Sequence, residues 1–226
     1  MIHIQKNPGK VYYSILKKHG LISEDFSHEE MGIFFRDSMR EMLKYPNPEI
    51  RDRYISHPGG NDGWWKELIT IFLKKVNGES FVVPGDNIFK EIFSIFDLID
   101  TWKVEESFFE LKDYLISNDI GLGIISNWDL RLRKLLTDMN LINYFKFVLI
   151  SAEFGYEKPS EKIFLEAEKL CGFKSEEIIY VGDKIELDYY PPRKLGWNSF
   201  LIEIEENSNP GLEKIKKLID LKSFIK

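Results

Sequence analysis

The chain has 226 residues, 43% of them hydrophobic and 14% aromatic, which is enough apolar material for one large domain or one domain with an insert. Its 31 basic and 37 acidic side chains give a net charge of -6 with nothing basic concentrated, which excludes the clustered Lys and Arg surface of a nucleic-acid binder. The single cysteine, Cys171, excludes an internal disulfide, the opening MIHIQKNPGK lacks the apolar stretch of a signal peptide, and runs such as 147–150 fall far short of the ~18 residues of a membrane span, so a cytoplasmic protein with no membrane partner is expected.

From about Asn7 to Asp97 the apolar positions recur at helical spacing, in VYYSILKKHG, MGIFFRDSMREML, WWKELITIFLKKV and NIFKEIFSIFDLI, with Pro, Gly and Asn between them. This spacing predicts a helical unit over 8–97, with 1–7 and 98–226 forming a second domain. Beyond about Lys103 helices alternate with short apolar runs: GLGIIS (121–126), FKFVLI (145–150), EIIYVG (177–182) and NSFLI (198–202). The helical segments between them are DLRLRKLLTDMNL, SEKIFLEAEKLCG and DYYPPRKLG. That rhythm predicts an α/β fold, a doubly wound parallel sheet covered by helices on both faces, because strands buried on both sides lose their polar alternation. EIEENSNPG (203–211) reads as a solvated loop, followed by a last helix over 210–222.

In such a sheet, ligands bind beyond the carboxyl ends of the strands. After GLGIIS, Ser126 and Asn127 offer a hydroxyl, an amide and backbone N–H groups; they either meet a phosphoryl oxygen or, with Asp129, cap the next helix. After FKFVLI, Lys158 stands before Pro159 and Ser160, either in the site or solvated as loop lysines commonly are. After EIIYVG come Asp183 and, five positions on, Asp188. Their hard oxygens suit Mg²⁺, the alternative being a solvated acidic turn.

The ordered set Ser126, Lys158, Asp183 and Asp188 resembles the motifs of the haloacid dehalogenase-like hydrolase superfamily: Ser126 in IISNWD, Lys158 in EKPS, and the pair in GDKIELD. The resemblance covers nearly the whole chain, including a helical cap with a Trp pair, Trp64 and Trp65, and the passage PPRKLGWNSFLI. It implies a Rossmann-like core with a helical cap and a Mg²⁺-dependent phosphohydrolase of a small phosphorylated metabolite. By it Ser126 binds the phosphoryl group, Lys158 stabilises its charge, Asp183 ligates Mg²⁺, and Asp188 orients Lys158 or the metal shell.

One element of the family pattern is missing. The nucleophile there is an Asp ending the first, central strand in a D-x-x-G-T-L pattern, whereas Met1 to Ser23 holds no Asp or Glu and no apolar run long enough for a buried strand. MIHIQKNPG resembles the segment that follows G-T-L. The expectations are therefore a chain that lacks the central strand through a late start, little or no turnover, and weak or absent Mg²⁺ binding. A catalytically dead binding protein on the same fold is the alternative. A 2-haloacid dehalogenase is a third reading, and Asp183 speaks against it. His19, His28, His57 and Cys171 read as core or surface residues rather than a replacement nucleophile, and Tyr54, Trp64 and Trp65 as core rather than the lining of a substrate pocket.

Overall fold

In the computed structural model, residues 2–43, 51–202 and 211–225 are described. The chain divides into two units: the described residues from 2 to 103, apart from Arg51 and Asp52, and those two residues together with everything described from Val104 on.

The first unit begins with a three-residue strand, β1 (Ile2–Ile4), followed by α1 (Pro8–Lys18) and α2 (His28–Met42). It continues through α3 (Arg53–Ser56), α4 (Gly60–Asn77) and α5 (Asp86–Phe96), and its last residues, Trp102 and Lys103, begin β2 (Trp102–Val104), which pairs with β1. Asn7 starts α1 by accepting the Lys10 N–H at 3.2 Å, with Pro8 preset for the first turn. Ser27 and Glu30 start α2 as a reciprocal capping box. The two helices pack closely at Gly9, where a Cβ would lie 2.6 Å from the Met31 carbonyl oxygen. Tyr12, buried, sets its ring edge-on to Phe35, Phe72 and Phe96 at 5.3, 6.0 and 5.7 Å. Each such buried side chain contributes about 1.5–3 kcal/mol.

The second unit runs α6 (Ser107–Ser117), β3 (Gly123–Ser126), α7 (Arg131–Asp138), β4 (Phe147–Ile150), α8 (Ser151–Phe154) and α9 (Glu161–Cys171). It then runs β5 (Ile179–Gly182), α10 (Tyr190–Lys194), β6 (Asn198–Ile202) and β7 (Lys214–Ile215). This is an α/β unit whose named strands pair in parallel, with one isolated antiparallel bridge between Arg51 and Tyr156 among the described residues. β3 lies beside β4 in a register running from Gly123 opposite Phe147 to Ser126 opposite Ile150. β5 lies beside β6 from Ile179 opposite Asn198 to Gly182 opposite Leu201, and β7 extends that sheet.

Among the described residues no strand joins β3 to β5: each has one paired edge, and the residues of β5 are all half-buried, while Ser199, Phe200 and Leu201 of β6 are buried. The helix α9 carries both sheets. Its Ile163, Phe164 and Ala167 bury against Ile125 of β3, Leu149 of β4 and Trp197 before β6.

The chain end departs from expectation. EIEENSNPG lies outside the described residues except for Gly211, and the helix expected over 210–222 is replaced by β7 and a 3₁₀ turn, Leu218–Ser223. Pairing of Lys214 and Ile215 with Leu201 and Ile202 takes the first part of the segment into the sheet. Leu218 and Leu221 are buried three residues apart, the 3₁₀ period. Asp220 holds the turn by accepting the N–H groups of Lys216 and Lys217 at 3.0 and 2.9 Å. The helix α6, outside the segments expected to be helical, buries Phe108, Leu111 and Leu115.

Candidate functional site

The loops leaving β3 and β4 are stitched together by backbone-directed hydrogen bonds. Asn127 uses its whole side-chain amide on Lys158: its Nδ2 donates to the Lys158 carbonyl at 2.8 Å and its Oδ1 accepts the Lys158 N–H at 2.7 Å. The Trp128 N–H donates to Ser151 Oγ at 3.1 Å, and Ser151 is fully buried. Neither Ser126 nor Asn127 caps α7. Asp129, also fully buried, accepts the Arg131 N–H at 2.9 Å and holds the Arg131 guanidinium. The Ser126 hydroxyl, half-buried at the tip of β3, has no hydrogen-bond partner among the described residues.

Lys158 follows α8, whose end at Gly155 takes the left-handed conformation (φ 98°) that lets the chain reverse. Its side chain is only 11% exposed and that of Asp188 4%. The ammonium donates to Asp188 Oδ1 at 2.5 Å and to the Tyr180 hydroxyl at 3.0 Å, and that hydroxyl lies 3.1 Å from the same Asp188 oxygen.

Asp188 sits in a wide helical turn, Ile185–Tyr189, that follows β5. Its backbone N–H donates to the Lys184 carbonyl at 2.7 Å while its Oδ2 accepts the Lys184 N–H at 3.0 Å. Gly182 makes room for this carboxylate: a Cβ there would lie 2.2 Å from both Asp188 Cβ and Cγ. The glycine serves close approach.

Burial acts against the Lys158 charge, but Tyr180 and the Asp188 carboxylate outweigh it, so its pKa lies above the ordinary lysine value. The phenol of Tyr180 is raised as well, chiefly by burial. Near neutral pH the site therefore holds a fixed ammonium beside a neutral phenol. A desolvated cation held this way is suited to stabilising an oxyanion.

Asp183 stands apart from this network. Its side chain is 65% exposed and its Oδ2 lies 3.1 Å from Lys184 Nζ. No group of three His, Cys, Asp or Glu side chains among the described residues could hold a metal ion. Mg²⁺ requires a near-octahedral oxygen shell, and one exposed carboxylate does not build it, so the residues present do not fit a resident Mg²⁺.

Asn127, Lys158 and Asp188 thus come together, Ser126 adjoins Asn127 in the chain, and Asp183 faces solvent. Tyr180 and Ser151 belong to the same cluster and were not singled out from sequence. The available signals were a phenol inside the apolar run EIIYVG and a serine immediately after FKFVLI. In the helical unit Trp64 is 1% exposed and packs against Tyr54 and Trp65 at 5.0 and 4.8 Å, which makes this aromatic group core. His57 is held structurally, with Nδ1 accepting the Gly59 N–H at 3.0 Å and Nε2 2.6 Å from Glu67.

A family model described as haloacid dehalogenase-like hydrolase matches residues 16–196. Haloacid dehalogenase-like hydrolase domain-containing protein 3 of Homo sapiens is 30% identical over 205 residues, which span 89% of this chain and 77% of that protein. Glyceraldehyde 3-phosphate phosphatase of Methanopyrus kandleri is 37% identical over 76 residues, 34% of this chain and 30% of its own length. Among solved structures, the magnesium-bound HAD-hydrolase YfnB of Bacillus subtilis superposes on 97% of this chain and 91% of its own at a TM-score of 0.72, with 15% identity. That last likeness is one of fold.

Proposed function

Because the chain belongs to the haloacid dehalogenase-like hydrolase family, we propose that the ends of β3, β4 and β5 form a crevice for the phosphoryl group of a small phosphorylated metabolite, and that this chain binds that group with little or no turnover. The observation that carries the reading is the buried Lys158 ammonium, held by Asp188 and Tyr180 and fixed through its backbone to Asn127. In this reading Lys158 meets the phosphoryl charge and the Ser126 hydroxyl donates to a phosphoryl oxygen. Asn127 works one step back, by holding the Lys158 loop. The glyceraldehyde 3-phosphate phosphatase among the relatives favours a phosphate ester over other substrates of the family.

Covalent phosphoryl transfer needs a carboxylate or equivalent nucleophile, and Met1 to Ser23 supplies none. Asp188 is committed to a different task, as the buried partner of the Lys158 ammonium, the Tyr180 hydroxyl and the Lys184 N–H. Asp183 is the position where the family pattern puts a metal carboxylate, and alone it gives weak Mg²⁺ affinity. The helical unit is read as the family's cap domain, and the protein as cytoplasmic.

The test is incubation with p-nitrophenyl phosphate and Mg²⁺. The expected result is no p-nitrophenol release above the buffer rate, together with saturable binding of orthovanadate. Release that disappears in a Lys158→Met variant would overturn the claim of inactivity, and absence of orthovanadate binding would overturn the claim of a phosphoryl site.

A further inference from the structure

We propose that Tyr180 is the positioning residue of this crevice: its hydroxyl fixes the Lys158 ammonium against Asp188 and thereby determines which ammonium N–H is presented to an oxyanion. The inference rests on the phosphoryl-holding reading of the site.

The geometry is a closed triangle. Lys158 Nζ donates to Asp188 Oδ1 at 2.5 Å and to Tyr180 Oη at 3.0 Å, and Tyr180 Oη, 3.1 Å from the same carboxylate oxygen, donates its one O–H there. Two of the three ammonium N–H groups are consumed, and among the described residues the third meets no acceptor. With Asp188 alone the ammonium could rotate about its Cε–Nζ bond. A second acceptor removes that freedom, because it sets the direction of all three donors.

The hydroxyl is itself aimed from outside the site. The Tyr180 ring stands edge-on between Phe164 of α9 and Trp197, at 5.6 and 5.9 Å. Those two rings meet at 5.5 Å. Trp197 is anchored in turn by its Nε1–H, which donates to Glu168 Oε1 at 2.6 Å, and the Ser175 hydroxyl donates to the same oxygen at 2.6 Å. A line of contacts therefore runs from the outer turns of α9 to the ammonium. Phenylalanine at 180 would preserve every ring contact on this line and delete both hydrogen bonds of the hydroxyl, so positioning is separable from packing.

The experiment compares the full chain with its Tyr180→Phe and Trp197→Phe variants, each labelled with ¹⁵N at lysine Nζ. The wild-type chain should show a slowly exchanging ammonium resonance, assigned to Lys158 by its absence in Lys158→Met. In Tyr180→Phe, hydrogen exchange of that resonance should accelerate roughly three- to tenfold, and orthovanadate affinity should fall by a similar factor, the worth of one lost hydrogen bond. Trp197→Phe, which keeps the hydroxyl but loses the Nε1–H bond to Glu168 that helps to aim it, should change both in the same direction by a smaller factor than Tyr180→Phe does. Faster exchange in Tyr180→Phe with no orthovanadate binding by the wild-type chain supports the positioning role and refutes the phosphoryl-site reading. Unchanged exchange and unchanged affinity in Tyr180→Phe, or no slow Lys158 resonance in the wild-type chain, overturn the positioning role whatever the fate of that reading.

Discussion

Replacing Gly182 with alanine puts a methyl group where Asp188 already lies. The new Cβ would stand 2.2 Å from Asp188 Cβ and Cγ and 2.5 Å from Oδ2, against an ordinary contact of 3.4 Å or more, so one partner must retreat by over an ångström. Gly182 is fixed by its pairing opposite Leu201 in the β5–β6 ladder, which leaves Asp188 to move. Its displacement breaks the 2.5 Å ion pair with Lys158 and the 3.0 Å bond from the Lys184 N–H. Breaking a buried ion pair costs about 3–5 kcal/mol. The backbone bond is worth about 1 kcal/mol more. With relaxation recovering part of this, a loss of roughly 3–5 kcal/mol is expected. At about 2 kcal/mol per molar of urea, the unfolding midpoint should fall by roughly 1.5–2.5 M. Urea titration followed by tryptophan fluorescence measures it, with Gly121→Ala as the control because its Cβ would meet nothing nearer than Lys146 Cγ at 3.6 Å. A Gly182→Ala midpoint within about 0.3 M of wild type would refute the claim that this glycine exists to admit the Asp188 carboxylate.

Lys158→Met should cost about 3–5 kcal/mol because it strands the buried Asp188 charge. The double variant Lys158→Met/Asp188→Asn, which removes that charge too, should recover most of the loss in the same urea titration. Asn127→Ala removes both bonds that tie β3's exit to the Lys158 backbone and should cost about 1–3 kcal/mol, measured by thermal or urea unfolding. Folding raises the Lys158 pKa above 10.5 and that of Tyr180 above 10.0. Both contributions are therefore fully present below those values and are lost as pH climbs through the raised folded values. Unfolding midpoints across pH 7 to 12 should accordingly stay level from these two groups up to about 10 and then decline. Tyr180→Phe should flatten part of that decline.

Much of the second unit was legible because its strands are short, apolar and followed by polar turns, so that 121–126, 145–150, 177–182 and 198–202 each contain an observed strand. The helical segments of the first unit were legible from the spacing that buries Leu16, Met31, Phe72 and Ile92. The chain end was not. Lys214 and Ile215 are extended because β6 offers them an edge, a tertiary fact that the amphipathic pattern of 210–222 does not contain. At the site, residue types at strand ends pointed to Ser126, Asn127, Lys158, Asp183 and Asp188, but not to their division of labour. Asn127 was open to an anion contact or, more readily, a helix start, and it does not start α7: its amide is spent on the Lys158 backbone. Asp183 and Asp188 are both carboxylates after one strand, yet one is exposed and the other buried, because the wide turn after Lys184 folds Asp188 back over Gly182. Tyr180 escaped notice because an aromatic in an apolar strand reads as packing, and only the direction of its hydroxyl reveals the second role.

The most direct test of the account is orthovanadate titration of the chain beside the Lys158→Met/Asp188→Asn variant, with heat or fluorescence as the signal. Saturable binding is expected at one site per chain, weakened about tenfold or more in the variant, since a desolvated charged hydrogen bond is worth roughly 1.5–3 kcal/mol. Equal affinity in the two proteins would contradict it.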